Sequence, residues 1–153
     1  MKKTSLFVLT ALLTTLLASP FCSKKKPREK AFPVGPEKQK QILAYADPVM
    51  ENILVGFNKN DYETYSRDFG NQMKKAQPEP AFQKVRQKIV GRIGLYKKHA
   101  LTRIVKTGKY YIVIYAGEFE KEKGVQMRLV FNKNDASHKV AGLWFNSPGL
   151  RRK

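Results

Sequence analysis

Two histidines are the side chains in this 153-residue chain best suited to act as a general acid or base. His99 begins a β-rich stretch beside Lys97 and Lys98, and His138 lies in a polar loop. The sequence contains no pair of histidines at metal-binding spacing and no acidic cluster of the calcium-loop type. Both histidines are therefore expected at the surface, and neither a metal ion nor a cofactor is predicted.

Two carboxylates form the other candidate pair for acid–base chemistry. Glu118 and Glu120 share one face of a predicted strand, but Lys121 and Lys123 beside them favour ordinary cross-strand ion pairs. The sequence also lacks the nucleophile elbow, the P-loop and the dinucleotide-binding glycine pattern. No catalytic residue is predicted.

Aromatic residues are more suggestive, because aromatic concavities often bind apolar or sugar-like ligands. Large aromatic side chains also fill the cores of small domains, so a ligand pocket and a packed core both stay open as interpretations. The six residues predicted to line such a pocket are Tyr65, Phe69, Tyr96, Tyr111, Tyr115 and Trp144.

The single cysteine, Cys22, follows an export-type segment. Two lysines precede an uncharged stretch over residues 6–18, which is too short to span a bilayer and is typical of a signal peptide. The segment resembles a bacterial lipoprotein signal, although Phe21 stands where a small residue is usual. We expect a signal peptide over residues 1–22, lipidation of Cys22 and anchoring in the cell envelope. The alternative is an ordinary secretory signal and a soluble secreted or periplasmic product.

Basic residues outnumber acidic ones by 30 to 12, which gives a net charge of +18. In an exported protein this charge points to anionic lipid or cell-wall polymer and not to nucleic acid. A merely soluble basic surface is the other interpretation. Residues 23–36 are predicted to form a flexible basic tether that binds an anionic surface through Lys24, Lys25, Lys26, Arg28 and Lys30.

The elements that would position these residues follow from hydrophobic periodicity. Apolar residues recur at three- and four-residue steps from Glu37 to Phe57 and stay in phase across Pro48, which predicts a kinked helix or two abutting helices. Asp61 is predicted to cap a short helix, and Gly94 to end a later one. Four strands follow. The fold class is therefore α+β, a single domain over residues 37–148 with helices covering one face of a curled, four-stranded antiparallel sheet, and a basic tail over 149–153.

Several of these segments together resemble a family of exported bacterial domains, domain of unknown function 3887. The resemblance covers roughly Gln39 to Pro148 and implies a nuclear-transport-factor-2-like, or cystatin-like, cone in which helices close over a bent sheet and leave a pocket. Its segments are Asn60-Asp61-Tyr62-Glu63-Thr64-Tyr65, Met73-Lys74, Gly94-Leu95-Tyr96, Tyr111-Ile112-Val113-Ile114-Tyr115 and Val140-Ala141-Gly142-Leu143-Trp144-Phe145.

Two functions remain open at this point. The first is a non-catalytic envelope module that binds a small apolar ligand or a protein partner. The second is a small pocket enzyme of hydrolase or isomerase type. A carboxylate or histidine with a displaced pKa inside the pocket would favour the enzyme, and an apolar pocket without titratable groups would favour the binding module.

Overall fold

The computed structural model describes residues 30–152. The predicted signal segment, Cys22 and most of the basic tether lie outside the described residues, as does Lys153. The described chain forms an α+β fold of helices packed on one antiparallel sheet. Its helices are α1 (Pro36–Lys59), α2 (Tyr62–Ser66), α3 (Asn71–Ala76), α4 (Glu79–Ile93) and α5 (Pro148–Arg151).

The helix α1 is continuous through Pro48, so of the two predicted alternatives the pair of abutting helices does not occur. Pro36 occupies its first turn, where a missing backbone N–H costs nothing. The helix runs through Pro48, and its buried residues recur on one side, including Ile42, Ile53 and Phe57. Asn60 ends it in the left-handed conformation, with φ of 57°. The apolar residues stay in phase on both sides of Pro48, and this periodicity correctly predicted helix before and after the proline.

The predicted helix ends are confirmed. The Asp61 carboxylate accepts a hydrogen bond from the backbone N–H of Thr64 at 3.1 Å and so caps α2. Hydrogen bonds from the Thr64 hydroxyl and backbone hold the pKa of Asp61 below its usual range. Gly94, with φ of 83°, ends α4 in a conformation that suits glycine.

The sheet has five strands in sequential order, not the four that the sequence predicted, and all neighbours are antiparallel. The additional strand consists of Phe32 and Pro33, within the segment predicted as a tether. Phe32 pairs with Lys106 and Pro33 with Val105. A proline is tolerated here because the strand lies at the edge of the sheet. The strands are β1 (Phe32–Pro33), β2 (Tyr96–Thr107), β3 (Tyr110–Phe119), β4 (Lys123–Asn132) and β5 (Val140–Asn146).

Side chains on one face of the sheet, here called the inner face, pack with the helices into a single core. Ile53 and Leu54 of α1 are fully buried together with Leu129 and Phe131 of β4, which confirms the predicted core contacts. Val34, which immediately follows β1, is also buried in this cluster. Among residues 30–152, no helix is long and apolar enough to cross a membrane.

The opposite face of the sheet, here called the outer face, is also partly apolar. Strand pairing aligns Val105, Ile112 and Val130 in one row across β2, β3 and β4. Ile114 lies in the next row, between two arginines described below. Ile114 and Val130 are buried, yet neither belongs to the core cluster between helices and sheet. The sheet therefore has apolar side chains on both faces, whereas the described core packs on only one.

Candidate functional site

The six aromatic residues predicted to form a pocket do not meet at one site. Tyr65, Phe69 and Tyr115 are almost completely buried and belong to the core. The Tyr65 ring centroid lies 5.1 Å from that of Phe69 and 4.4 Å from that of Phe82, so these rings pack against one another. Of the three, Tyr65 also lines a groove of about 270 Å³ that Trp144 shares. For these three residues the packed-core interpretation describes the structure.

Tyr96 and Tyr111 are half-buried and lie near opposite ends of β2 and β3. Tyr96 pairs with Phe119, and Tyr111 pairs with Lys106. The ammonium groups of Lys38 and Lys133 lie 5.8 Å and 5.3 Å from the centroid of the Tyr111 ring, at cation–π distance. These two tyrosines therefore occupy separate environments at the margins of the core.

The arrangement closest to acid–base chemistry lies where α1 meets β2 and β3. The Tyr96 hydroxyl is 2.7 Å from Nδ1 of His99, and the Tyr115 hydroxyl donates to Oδ1 of Asp47 at 2.7 Å. The His99 ring packs edge-on against Tyr115, with centroids 4.9 Å apart. His99 is thus half-buried with specific neighbours, and not the free surface residue that the sequence predicted.

Neither phenol of this cluster is available as a base at neutral pH. Burial, assisted by the nearby Glu51 carboxylate, raises the pKa of Tyr96 to about 12. Burial and the hydrogen bond to Asp47 also raise the pKa of Tyr115. Both phenols therefore keep their protons at neutral pH, and each has a hydrogen-bond partner within the fold. The cluster fixes α1 against the sheet.

The other candidates for chemistry have structural roles. Glu118 lies 3.5 Å from Lys98 and 3.6 Å from Lys123, as cross-strand pairing predicts. Glu120 accepts a hydrogen bond from the backbone of Leu95 at 3.0 Å. His138 is exposed, as expected, and stacks on Tyr45 with centroids 4.0 Å apart. Among residues 30–152, no group of three histidine, cysteine or acidic residues could hold a metal ion.

Trp144 differs from the other five aromatics because it lies on the outer face. It pairs with Arg128 across β4 and β5, and 56% of its surface is exposed. Its indole lies over Gly142, where a Cβ atom would collide with the ring. Because glycine has no side chain, one side of the indole lies against the strand at Gly142. The other side of the indole is open to solvent.

Beside Trp144 is an open groove of about 460 Å³. This volume is within the usual range of ligand sites, roughly 300–1,000 Å³, although the groove is open to solvent. Among the residues of 30–152 that line it, the ionisable groups are Arg128 and the Tyr110 phenol, with no carboxylate and no histidine. The lining residues are Thr107, Tyr110, Ile112, Arg128, Val130, Ala141 and Trp144.

A second groove of about 390 Å³ continues the first across the sheet. The two grooves share Ile112 and Arg128. Arg103 also lines the second groove, and strand pairing places Ile114 between Arg103 and Arg128. The lining residues of this second groove are Ala31, Arg103, Val105, Ile112, Ile114 and Arg128.

The charged side chains among the described residues that line the two grooves are all positive. Neither groove is lined by an aspartate or a glutamate. Nε of Arg128 donates to the Gln126 side chain at 3.0 Å, and within residues 30–152 neither Arg103 nor Arg128 forms an ion pair with a carboxylate. The outer face thus combines an exposed indole, aliphatic side chains and two cationic groups, which suits binding an apolar or amphipathic anionic partner more than acid–base catalysis.

Sequence reasoning identified Trp144 but missed the surface around it. A usable signal was present in β3, whose consecutive apolar residues were correctly interpreted as a strand buried on both faces. The helices predicted from the sequence were sufficient to cover only one of those faces. That mismatch between apolar faces and covering elements indicates an outer surface available for binding.

Comparison with known proteins adds a family but no activity. The family model described as protein of unknown function (DUF3887) matches residues 50–143, more than half of the chain. No curated protein matches the chain. The matched region extends from within α1 into β5 and includes most of the outer face. The chain therefore belongs to the DUF3887 family of proteins of unknown function.

Proposed function

We propose that this protein is an exported, lipid-anchored binding module of the cell envelope whose binding surface is the outer face of its sheet. The observation that carries the proposal is the open apolar groove beside Trp144, the most exposed large hydrophobic residue in the described chain. An exposed indole beside a groove with an apolar lining is typical of an interaction site. A non-catalytic role is favoured because this groove contains no carboxylate or imidazole.

The fold that we propose is a nuclear-transport-factor-2-like cone with a filled interior. Register shifts at four places, including Leu101–Arg103 and Val130–Phe131, support a sheet that curls around the helices. In a cone of this kind the interior would be the usual place for a ligand. Here Tyr65, Phe69 and Tyr115 occupy it, so binding is assigned to the outer face.

The alternative function, a pocket enzyme of hydrolase or isomerase type, would depend on His99. A groove of about 360 Å³ beside this residue is lined also by Lys98, Glu118 and Lys123. In that groove Glu118 is engaged with both lysines, and the His99 side chain is hydrogen-bonded to the Tyr96 phenol. Because no free carboxylate faces the imidazole there, this alternative has less support than the binding module.

The lipid-anchor part of the proposal rests on Cys22 after the uncharged stretch 6–18. We expect the mature protein in the membrane fraction to begin at an acylated Cys22, and intact-mass measurement to show the added lipid. Cys22→Ala should move the protein out of the membrane fraction, because two or more acyl chains are needed for stable anchoring. A mature species with another N-terminus, or without added mass, would contradict the anchor.

The binding part of the proposal can be tested with an uncharged apolar dye. Nile red should bind wild-type protein and receive excitation energy from Trp144, the only tryptophan in the chain. Ala141→Glu should reduce this transfer at least severalfold, because Ala141 is exposed and lines the groove, where a carboxylate would oppose an apolar ligand.

Ala100→Glu is the matched control for the dye experiment. Ala100 is also an exposed strand alanine, but it lines the separate groove beside His99. The control variant should bind the dye as wild type does. Equal loss in both variants, or no energy transfer from Trp144 in wild type, would show that the groove beside Trp144 is not the binding site.

A further inference from the structure

The path of the chain into the domain lies beside the outer face. Ala31 lines the second groove together with Arg103 and Val105. It directly precedes β1, which pairs with β2 at the edge of the sheet. The described chain therefore enters the domain at Ala31, beside the outer face.

The length of this connection limits where the domain can be. Eight residues lie between Cys22 and Ala31, and the nine residue-to-residue steps can span at most about 30 Å even when fully extended. A lipid on Cys22 would therefore hold the domain close to the bilayer surface. Tethering of this kind gives even weak contacts a high effective concentration of membrane.

The side chains of the outer face match the chemistry of a lipid head-group region. Trp144 presents an exposed indole, and tryptophan is enriched at membrane interfaces. Arg103 and Arg128 are exposed, and arginine can place its aliphatic part on apolar surface while its guanidinium reaches phosphate. The groove-lining residues include no carboxylate that would repel anionic lipid.

We propose that the outer face docks on an anionic membrane surface, with Trp144 among the lipid head groups and Arg103 and Arg128 on lipid phosphates. This inference depends on the proposed function, because it takes the outer face as the binding surface and names its partner. It differs from attraction by the basic tether alone, because it orients the folded domain with its helices away from the bilayer.

A second copy of the chain is a less suitable occupant. Two outer faces placed against each other would bring Arg103 and Arg128 of both copies into an apolar interface. The described residues that line the two grooves supply no carboxylate to neutralise the guanidinium groups, and Glu118 is already paired with Lys98 and Lys123. Burying unpaired charges in this way is strongly unfavourable. Lipid phosphate provides the missing negative charge.

Trp144 reports directly on the test, because it is the only tryptophan. Protein beginning at Ser23 contains the whole described core and is mixed with vesicles of phosphatidylcholine alone or with phosphatidylglycerol. We expect a blue shift of Trp144 emission only with phosphatidylglycerol, quenching by brominated acyl chains, and loss of both effects at high salt. Protein beginning at Lys30 should show the same blue shift at higher lipid concentration.

Charge-matched variants separate the outer face from the rest of the basic surface. Arg103→Gln/Arg128→Gln should weaken vesicle binding by roughly tenfold, since each basic residue near the head groups contributes severalfold to affinity. Lys74→Gln/Lys84→Gln removes the same charge from exposed positions of α3 and α4 and should change binding less than about twofold. All four positions are exposed, and circular dichroism melting will confirm that both variants fold.

Three results would overturn the inference. Vesicle binding without any change in Trp144 emission would assign the attraction to the tether or to α4. A blue shift that depends on protein concentration and not on lipid would indicate a second copy as the occupant. Absence of vesicle binding would exclude the membrane. In each case the dye experiment with Ala141→Glu still decides whether the outer face binds an apolar partner, so the two proposals fail separately.

Discussion

Replacing Ile53 with aspartate is expected to unfold the domain. Ile53 lies in the middle of α1, is completely buried, and belongs to the core cluster that contains Leu129 and Phe131. An isolated carboxylate there would lose its hydration without gaining a partner, at a cost of several kcal/mol. Since single domains are stable by only about 5–15 kcal/mol, this loss is comparable to the whole free energy of unfolding.

Thermal unfolding followed by circular dichroism measures this effect. Ala44→Asp is the matched control, because Ala44 is an exposed residue of the same helix and the substitution introduces the same charge. The control should melt within a few degrees of wild type, whereas Ile53→Asp should show no cooperative transition. A wild-type melting temperature for Ile53→Asp would mean that α1 does not pack on the sheet as described.

The helices were predictable because their apolar periodicity and their caps are local signals. The stripe of α1, the Asp61 cap and the glycine that ends α4 each depend on residues close together in sequence. The edge strand β1 was not predictable in this way. Phe32 and Pro33 form a strand only because β2 offers an unpaired edge, and the prolines around them indicate a linker when seen alone.

The candidate site shows a different limit of the sequence. Residue types correctly suggested that aromatics dominate the domain, but the direction of each side chain depends on strand register. Tyr115 and Trp144 are both strand aromatics, yet one points into the core and the other to the outer face. The register shift between Val130 and Phe131 changes the pairing of β4 with β5, and simple alternation does not reveal it.

The basic composition gains a more specific meaning from the structure. A net charge of +18 alone predicts attraction to any polyanion. Arg103 and Arg128 lie beside rows of aliphatic residues and an exposed indole, so the outer face is both cationic and apolar. Lipid head groups above acyl chains have the complementary pattern, whereas nucleic acid offers phosphate without an apolar layer beneath it.

Gly56 is the position where the smallest substitution should have a large effect. It lies in the last turns of α1, and a Cβ atom there would lie 2.8 Å from the Cα atom of Tyr65 and 2.9 Å from the carbonyl oxygen of Asp61. These are backbone atoms of α2 and of its N-cap residue, and they cannot rotate away. Gly56→Ala should therefore push α2 outward, disturb the burial of Tyr65 and destabilise the domain by about 2–3 kcal/mol.

Gly91→Ala should have the opposite sign, which makes it the control for Gly56→Ala. Gly91 is exposed within α4, and a Cβ atom there would meet no atom within 4 Å. Alanine in an open helical position should stabilise the domain by about 0.5–1 kcal/mol, because it restricts the unfolded chain and favours the helix. Urea unfolding of the two variants measures both changes. If both substitutions stabilise the domain, α1 and α2 are not in close contact at Gly56. Alanine is intrinsically preferred over glycine within a helix, and only such a contact would make Gly56→Ala destabilising.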